Sequence, residues 1–294
     1  MEKFGRIYDL RITTKGGRNI SVQLPFAITF DITKSTLPTA NCLQLRIFNL
    51  PRNIRDQVRF DISAMTDRQE LAFKAGYQSL TKNLNDLPMV FMGSIKYAYS
   101  ERVNHIDWVT TIECYDGGFA ITNSEINDSF KRGENYRYSM EKVMAKLKGI
   151  RKGRISKKII SEDDKILRDQ SVKGFVFDIL NENLGTKWFI DNEIINVLDD
   201  DEALDGIFKF INVDTGLIGT PVRSETNIDF KMIFEPRLLL GQIINLQSKS
   251  DPAFNGTYKL MTIKHRGNIS NANAGEAITT CRVFKGTGKL EVVK

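Results

Sequence analysis

From residue 4 to 122 the chain is cut into short β-forming runs by Gly, Asn, Asp and Pro, and the same punctuation returns from Lys187 onward. The first stretch holds FGRIYDLRIT, ISVQLPFAITFDI, CLQLRIFNL, ELAFKAGY, MVFMGSIKYAYS and DWVTTIECY; the last holds KWFI, EIINVL, GIFKFIN, NIDFKMIF, QIINLQS, GTYKLMTIKHRG and ITTCRVFK. Many short strands with turn residues at regular joints favour a barrel or sandwich, because such strands must hide their edges. In the run from Cys42 to Phe48 the alternation puts Leu43, Leu45 and Ile47 on one face and Gln44 and Arg46 on the other. Behind Pro51, the spacing of Ile54, Val58 and Ile62 predicts a short helix with Asn53 as its cap.

Residues 123–186 follow a different grammar. Tyr136, Met140, Val143, Met144 and Leu147 form the stripe of an amphipathic helix that Gly149 would stop. A second helix is predicted from a Ser171 cap, with Val172, Phe175, Val176, Ile179 and Leu180 on one face before Gly185. The expected fold is therefore mainly β (β+α), with β units, each a barrel or sandwich, at 1–122 and 187–294 flanking a helical, mixed α/β unit at 123–186, an order that permits two related barrels. A chain of 294 residues accommodates two or three such units.

Charge is the next constraint. With 42 basic against 36 acidic residues the net charge is only +6, too little for a chain that coats nucleic acid. That excess is concentrated: residues 142–161 carry eight basic and no acidic residues, including Lys146, Lys148, Arg151, Lys152, Arg154, Lys157 and Lys158. No aromatic residues interleave for base stacking, so the patch reads as solvated or as the contact for an acidic protein neighbour. Non-specific nucleic-acid contact by a cytoplasmic barrel protein is the alternative. Residues 188–208 hold seven acidic and no basic residues.

Candidate chemistry is sparse. Cys42, Cys114 and Cys281 lie far apart without CxxC spacing and read as buried reduced thiols. His105 and His265 lack a positioned nucleophile and orienting group, so both read as structural. The four consecutive acids Asp199 to Glu202 lack the alternation of a calcium loop and read as a solvated charge run, and Asp163-Asp164 is weaker still. Gly216 and Gly219 match no phosphate-binding pattern, and NLPRN at 49–53 and FEPRLLLG at 234–241 read as turns. No enzyme, metal or cofactor is expected. The longest apolar runs are far below the roughly 20 residues of a membrane helix, and the N-terminal charges are unlike a secretory signal, so synthesis in the cytoplasm is expected.

The order of these segments resembles the bacteriophage tail baseplate hub family. CLQLRIFNLP leads into NIRDQV; Gly76 and Tyr77 end LAFKAGY, Gly93 turns VFMGSI, and TTIECYDGG follows. NDSFKRGENY is similar to the segment that leaves the first barrel. The last third carries Gly216, Gly219 and Pro221 in TGLIGTPVRSE, Pro236 and Gly241 in FEPRLLLGQIINLQSK, and Gly256, Tyr258 and His265 in NGTYKLMTIKHRG. The resemblance implies two barrels related to the tail-tube fold and a homotrimer in the virion baseplate. Its partners would be the tail tube protein, a separate central spike protein and other baseplate proteins. It also implies a symmetry adapter between a hexameric tube and a trimeric spike, lining part of the genome channel and touching DNA transiently and non-specifically, without membrane insertion. No segment looks like a lysozyme insertion or a β-helical spike, so a peptidoglycan hydrolase is not expected. Tyr77 and Tyr258 would plug barrel ends and keep wet hydroxyls.

Overall fold

The computed structural model describes residues 3–14, 16–60, 68–81, 83–271, 275–286 and 289–293. Its first unit is built of β1 (Arg6–Thr13), β2 (Asn19–Gln23), β3 (Ile28–Ser35), β4 (Asn41–Phe48), β5 (Glu70–Tyr77), β6 (Met89–Arg102) and β7 (Trp108–Asp116), with α1 (Arg52–Val58) between β4 and β5. The strands hydrogen-bond in the order β3-β4-β7-β6-β5-β1-β2, each pair antiparallel. Leu43, Leu45 and Ile47 are buried and Gln44 and Arg46 point out, as the alternation requires. They pack with Leu10, Ile12, Phe30, Ile32, Phe73 and Phe91. Each large apolar side chain removed from water there contributes about 1.5–3 kcal/mol. Helix α1 starts on Pro51 with no side-chain cap, so Asn53 is inside the helix and not its cap. Ile62 lies outside the described residues.

The middle of the chain forms α2 (Gly118–Asn123), β8 (Glu125–Phe130), α3 (Tyr136–Met144), β9 (Arg151–Ile155), β10 (Gln170–Phe175), α4 (Val176–Leu184), β11 (Trp188–Asp191) and β12 (Ile194–Val197). The stripe of α3 buries Met140, Val143 and Met144, and Asn135 caps it by accepting from Tyr138 N at 2.9 Å. The helix predicted from Ser171 is shorter. Ser171 and Val172 belong to β10, opposite Ser129 and Asp128 of β8, and Gly174 adopts φ 143°, which interrupts any helix there. Only Val176 onward is helical, burying Val176, Ile179, Leu180 and Leu184. Strand β9, hidden in the basic run, pairs in parallel with β12, and β12 pairs with β11. Trp188, Ile190, Ile195 and Val197 thereby join the core of α3 and α4, whereas Phe189 and Leu198 pack into the second β unit.

That unit holds β13 (Glu202–Leu204), β14 (Phe210–Ile211), β15 (Leu217–Ser224), β16 (Asn227–Ile233), β17 (Ile243–Leu246), β18 (Gly256–Ile269), β19 (Ala277–Phe284) and β20 (Glu291–Val293). Strands β15-β16-β19-β18 are consecutive neighbours, β17 pairs with β18, and β18 continues onto β3 from Thr262↔Ser35 to Ile269↔Ile28. The two β units thus share one sheet of 13 strands, whose main path runs from β15 to β2 without closing into a ring. The fold is mainly β, as expected, but this pairing draws no closed barrel.

The same path contains a repeat. The order β3-β4-β7-β6-β5 in the first unit is matched by β15-β16-β19-β18-β17 in the second. Strands β6 and β18 are each 14 residues long, and each carries one register shift against its hairpin partner. After β4 the chain turns through Pro51-Arg52, and after β16 through Pro236-Arg237.

Candidate functional site

Because β18 and β3 are hydrogen-bonded neighbours, the outward faces of both units merge into one polar groove of about 1160 Å³. Alternation along each strand puts Asp31 of β3, Arg46 of β4, Glu113 of β7, Lys264 and Arg266 of β18 and Tyr99 of β6 on its wall. Its basic side chains Arg46, Lys231, Lys264 and Arg266 are offset by Asp31, Glu113 and Glu276, so no single sign of charge dominates. Burial pushes the Glu113 carboxyl up, but hydrogen bonds from Tyr97 and from Tyr115 at 2.7 Å, with Lys96 nearby, hold it below the ordinary carboxylate range.

Behind this wall, at one end of the sheet, the inward rows of β3, β4 and β7 finish in polar residues. Lys34 follows Phe30 and Ile32, Asn41 precedes Leu43, and Asp116 follows Ile112 and Cys114. They meet the tight turn between β11 and β12, where Asn192 and Glu193 both have positive φ. Lys34 Nζ donates to Asp191 Oδ1 at 2.7 Å and to Asn192 Oδ1 at 3.0 Å. Asp116 accepts from Asn192 N at 2.6 Å, Glu193 N at 2.8 Å and Asn41 Nδ2 at 3.2 Å. Asp191 also accepts from Leu240 N of the second β unit at 3.3 Å. One buried ammonium thus faces two buried carboxylates where all three parts of the chain meet. Burial, together with the charge of Asp191, raises the Asp116 carboxyl to about 7 against the pull of Lys34. None of these residues was singled out from sequence, although a Lys, an Asn and an Asp each continuing an inward apolar row was a visible signal.

The signature positions are spread over the sheet and not gathered into one site. Gly76 and Tyr77 end β5, Gly93 lies in β6, and Gly216, Gly219 and the buried Pro221 lie at or in β15. Pro236 and Gly241 form the connection from β16 to β17, and Gly256, Tyr258 and His265 lie on β18. Tyr77 and His265 do converge: the Tyr77 hydroxyl donates to Phe234 O at 2.8 Å, and the His265 ring stands edge-on to Phe234 at 5.3 Å. The Tyr77 hydroxyl is thus enclosed and not wet, because the carbonyl it binds is itself buried at the joint. The Tyr258 hydroxyl likewise donates inward, to Phe254 O at 2.9 Å. His265 is mid-strand and buried, bonded to Thr279 Oγ1 at 2.8 Å; burial, helped by Lys34, lowers it to about 3 and keeps the ring neutral. His105 lies in the exposed turn joining β6 and β7.

Most of the basic patch is balanced within the chain. Lys142 and Lys146 reach Asp128, Lys152 reaches Glu141 at 2.7 Å, Lys157 reaches Glu162 at 2.9 Å and Lys158 reaches Glu291 at 2.8 Å. Lys148, Arg151 and Arg154 are exposed beside them. The run Asp199 to Glu202 is more than a solvated loop. Lys187 bridges Asp199 at 3.1 Å and also meets Asp200, Glu202 is buried, and its carboxylate accepts from Asp199 N at 2.9 Å. Cys114 and Cys281 are buried and Cys42 is half-buried, all three free. Among the described residues no group of three or more His, Cys, Asp or Glu is placed to hold a metal ion, and no helix is long and apolar enough to cross a membrane.

Comparison with known proteins agrees with this architecture. The 43 kDa tail protein of prophage MuSo2 from Shewanella oneidensis has the same fold, with a TM-score of 0.58 over 94% of this chain and 98% of its own at 7% identity. A tail protein from Neisseria meningitidis MC58 matches with a TM-score of 0.54 over 96% of this chain and 97% of its own at 11% identity. An E. coli type VI secretion component, described as structurally similar to T4 tail proteins gp27 and gp5, matches with a TM-score of 0.58 over 90% of this chain and 74% of its own at 11% identity. No curated protein matches the sequence. The family model described as baseplate hub gp41 matches residues 10–272, so the chain belongs to that family of structural phage-tail proteins.

Proposed function

We propose that three copies of this chain form the hub ring of the tail baseplate, joining a six-fold tail tube to a three-fold central spike, with the polar groove lining the genome channel. The observation that carries this reading is the repeat within one sheet: each chain offers two modules of the same strand order side by side, sharing one outward face. Three copies would then present six modules to the tube, while each remaining element recurs only three times. In this reading the units are 1–122, 123–186 and 187–294, with the helical one turned to the three-fold side.

Two of the open edges of the large sheet, among the described residues, would meet in a ring of copies. Strand β15 ends the path, and the last residues of β6, from Tyr99 to Arg102, have no strand opposite β7. Inside the chain the corresponding stretch of β18 holds β3. Between copies, β6 would take up β15 of the next chain. Pro221, which has no N–H, and the bulge between Ile218 and Val222 blunt β15 in the free protein. The near-balanced groove suits a channel that passes DNA without gripping it. An asymmetric reconstruction of the tail tip tests the proposal: three chains per ring with both modules in the wall is the expected result, and six chains per ring would end it.

The basic patch is assigned to solvent or an acidic tail partner, because so many of its lysines already face carboxylates of their own chain. Replacing Lys152, Arg154, Lys157 and Lys158 together by Gln should leave the melting temperature within about 5 °C of the parent, since exposed ion pairs contribute little. Sequence-selective DNA binding by the parent would contradict this assignment.

A further inference from the structure

The two modules differ at one corner. In the second unit the turn after β16 is covered by the first unit: Lys3 Nζ lies 3.1 Å from Glu235 and donates to Thr215 O at 2.9 Å, and Tyr77 caps Phe234 O. Arg237 is held on Glu235 at 2.7 Å, with its guanidinium 4.8 Å from the Phe208 ring. In the first unit the matching turn, Pro51-Arg52, opens onto a cleft of about 590 Å³ between α1 and the ends of β6 and β7.

This cleft is preorganised. Asn49 has φ 57° and brackets Trp108, donating from its N–H to Trp108 O at 2.8 Å and accepting Trp108 N on its side chain at 2.9 Å. The Arg55 guanidinium lies 3.8 Å from the Trp108 ring centroid, and its buried Nε has no hydrogen-bond partner. Arg52, with 87% of its side chain exposed, and Arg59 flank it, and among the described residues the single carboxylate lining the cleft is Asp56, 3.6 Å from Arg52. A planar guanidinium held on an aromatic ring, flanked by two exposed ones, suits carboxylates, which guanidinium groups bind in bidentate fashion. A nucleic-acid strand is a poorer fit, because Arg55 already occupies the face of Trp108 that a base would stack on, and Asp56 repels a continuous polyanion.

We infer that the Arg52-Arg55-Arg59 cleft receives an exposed carboxylate, Asp214, from the second β unit of another copy of this chain, so that the seam between copies repeats the seam within one. The inference rests on the trimeric reading above. The internal seam is covered from the end of β5, whose counterpart is β17, and the chain beyond β17 runs through the loop carrying Asp251. The exposed Asp214 lines a hollow with residues of that same loop. Inside the chain a lysine closes onto a glutamate. Between copies the signs are reversed, and the exposed Asp214 closes onto arginines, whereas Asp251 is half-buried and caps its own turn by accepting from Ala253 N at 3.0 Å.

The test is sedimentation of the full chain across a concentration and salt series. The parent should self-associate, less so at high salt. Arg52→Glu with Arg59→Glu should weaken association by about tenfold or more while leaving the circular dichroism and melting curve unchanged. Mixing that variant with an Asp214→Lys chain should restore assembly. A parent that stays monomeric throughout would overturn both this inference and the trimeric reading. Undiminished assembly of the arginine variant would overturn the inference alone, as would a loss of duplex-DNA binding in that variant with assembly intact.

Discussion

Lys34→Met should cost about 3–5 kcal/mol of stability, although methionine nearly matches the lysine in volume. Lys34 is the ammonium that faces both Asp191, at 2.7 Å, and the neighbouring buried Asp116. Without it the two carboxylates remain out of water and Asn192 Oδ1 loses a donor at 3.0 Å. The other ionisable groups around the site give no relief: Glu193 is taken by Arg68 at 2.6 Å, and His265 is held neutral. The loss should also depend on pH. The folded Asp116 carboxyl, near 7, lies above its ordinary 3.8, so its contribution to stability is full below about pH 4 and is lost as pH rises through 7. Removing Lys34 makes the charged form still less favourable. The deficit of the variant against the parent, read from urea unfolding midpoints, should therefore be larger at pH 8 than at pH 5.5. Equal deficits at the two pH values would show that lost packing, and not uncompensated charge, carries the effect.

This junction shows where the sequence was legible and where it was not. Period-two alternation identified the inward row Leu43, Leu45 and Ile47, and β5 matched its run ELAFKAGY residue for residue. Alternation reports which face a residue takes, but not what that face meets. Lys34, Asn41 and Asp116 sit on inward faces, yet their partners lie about 75 to 158 residues away along the chain. The strands that escaped notice had masked signals. In β9, RKGRI, the apolar row is reduced to one buried residue, Ile155. In β15, Gly219 and Pro221 broke the β-forming run, because edge strands tolerate residues that central strands exclude. The helix expected from Ser171 was a local reading overridden by pairing with β8.

The repeat was only half visible for a related reason. Hairpins β3–β4 and β6–β7 announce themselves by short turns, but the pairings β4–β7, β16–β19 and β18–β3 join strands distant in sequence. The Pro-Arg turns at 51–52 and 236–237 stand at the same place in both modules, and each by itself reads as an ordinary corner. The arginine cleft could not be read at all, since Trp108 and Arg55 become neighbours only once β7 is placed beside α1.

Gly93→Ala should destabilise the protein by about 3 kcal/mol, far more than the same change at Gly76 or Gly256. A Cβ at Gly93 would stand 2.6 Å from Tyr115 O and 2.9 Å from Asp116 N, both backbone atoms of β7. Backbone cannot swing aside as a side chain can. At Gly76 the close neighbour is the Leu87 Cδ2 methyl at 2.8 Å, the far end of a flexible side chain, and at Gly256 nothing lies nearer than 3.4 Å. The order of cost should therefore be Gly93, then Gly76, with Gly256→Ala near neutral or slightly stabilising because alanine restricts the unfolded chain. The position of Gly93 adds to its cost. Moving Tyr115 and Asp116 outward also pulls the Asp116 carboxylate away from Asn192 N and Glu193 N, which it holds at 2.6 and 2.8 Å. Gly93→Ala and Lys34→Met thus strain the same junction from opposite sides, and their combined cost should fall short of the sum of the two. A double variant whose unfolding free energy is strictly additive would mean that the Gly93 contact is absorbed within β6 and β7 before it reaches the carboxylate.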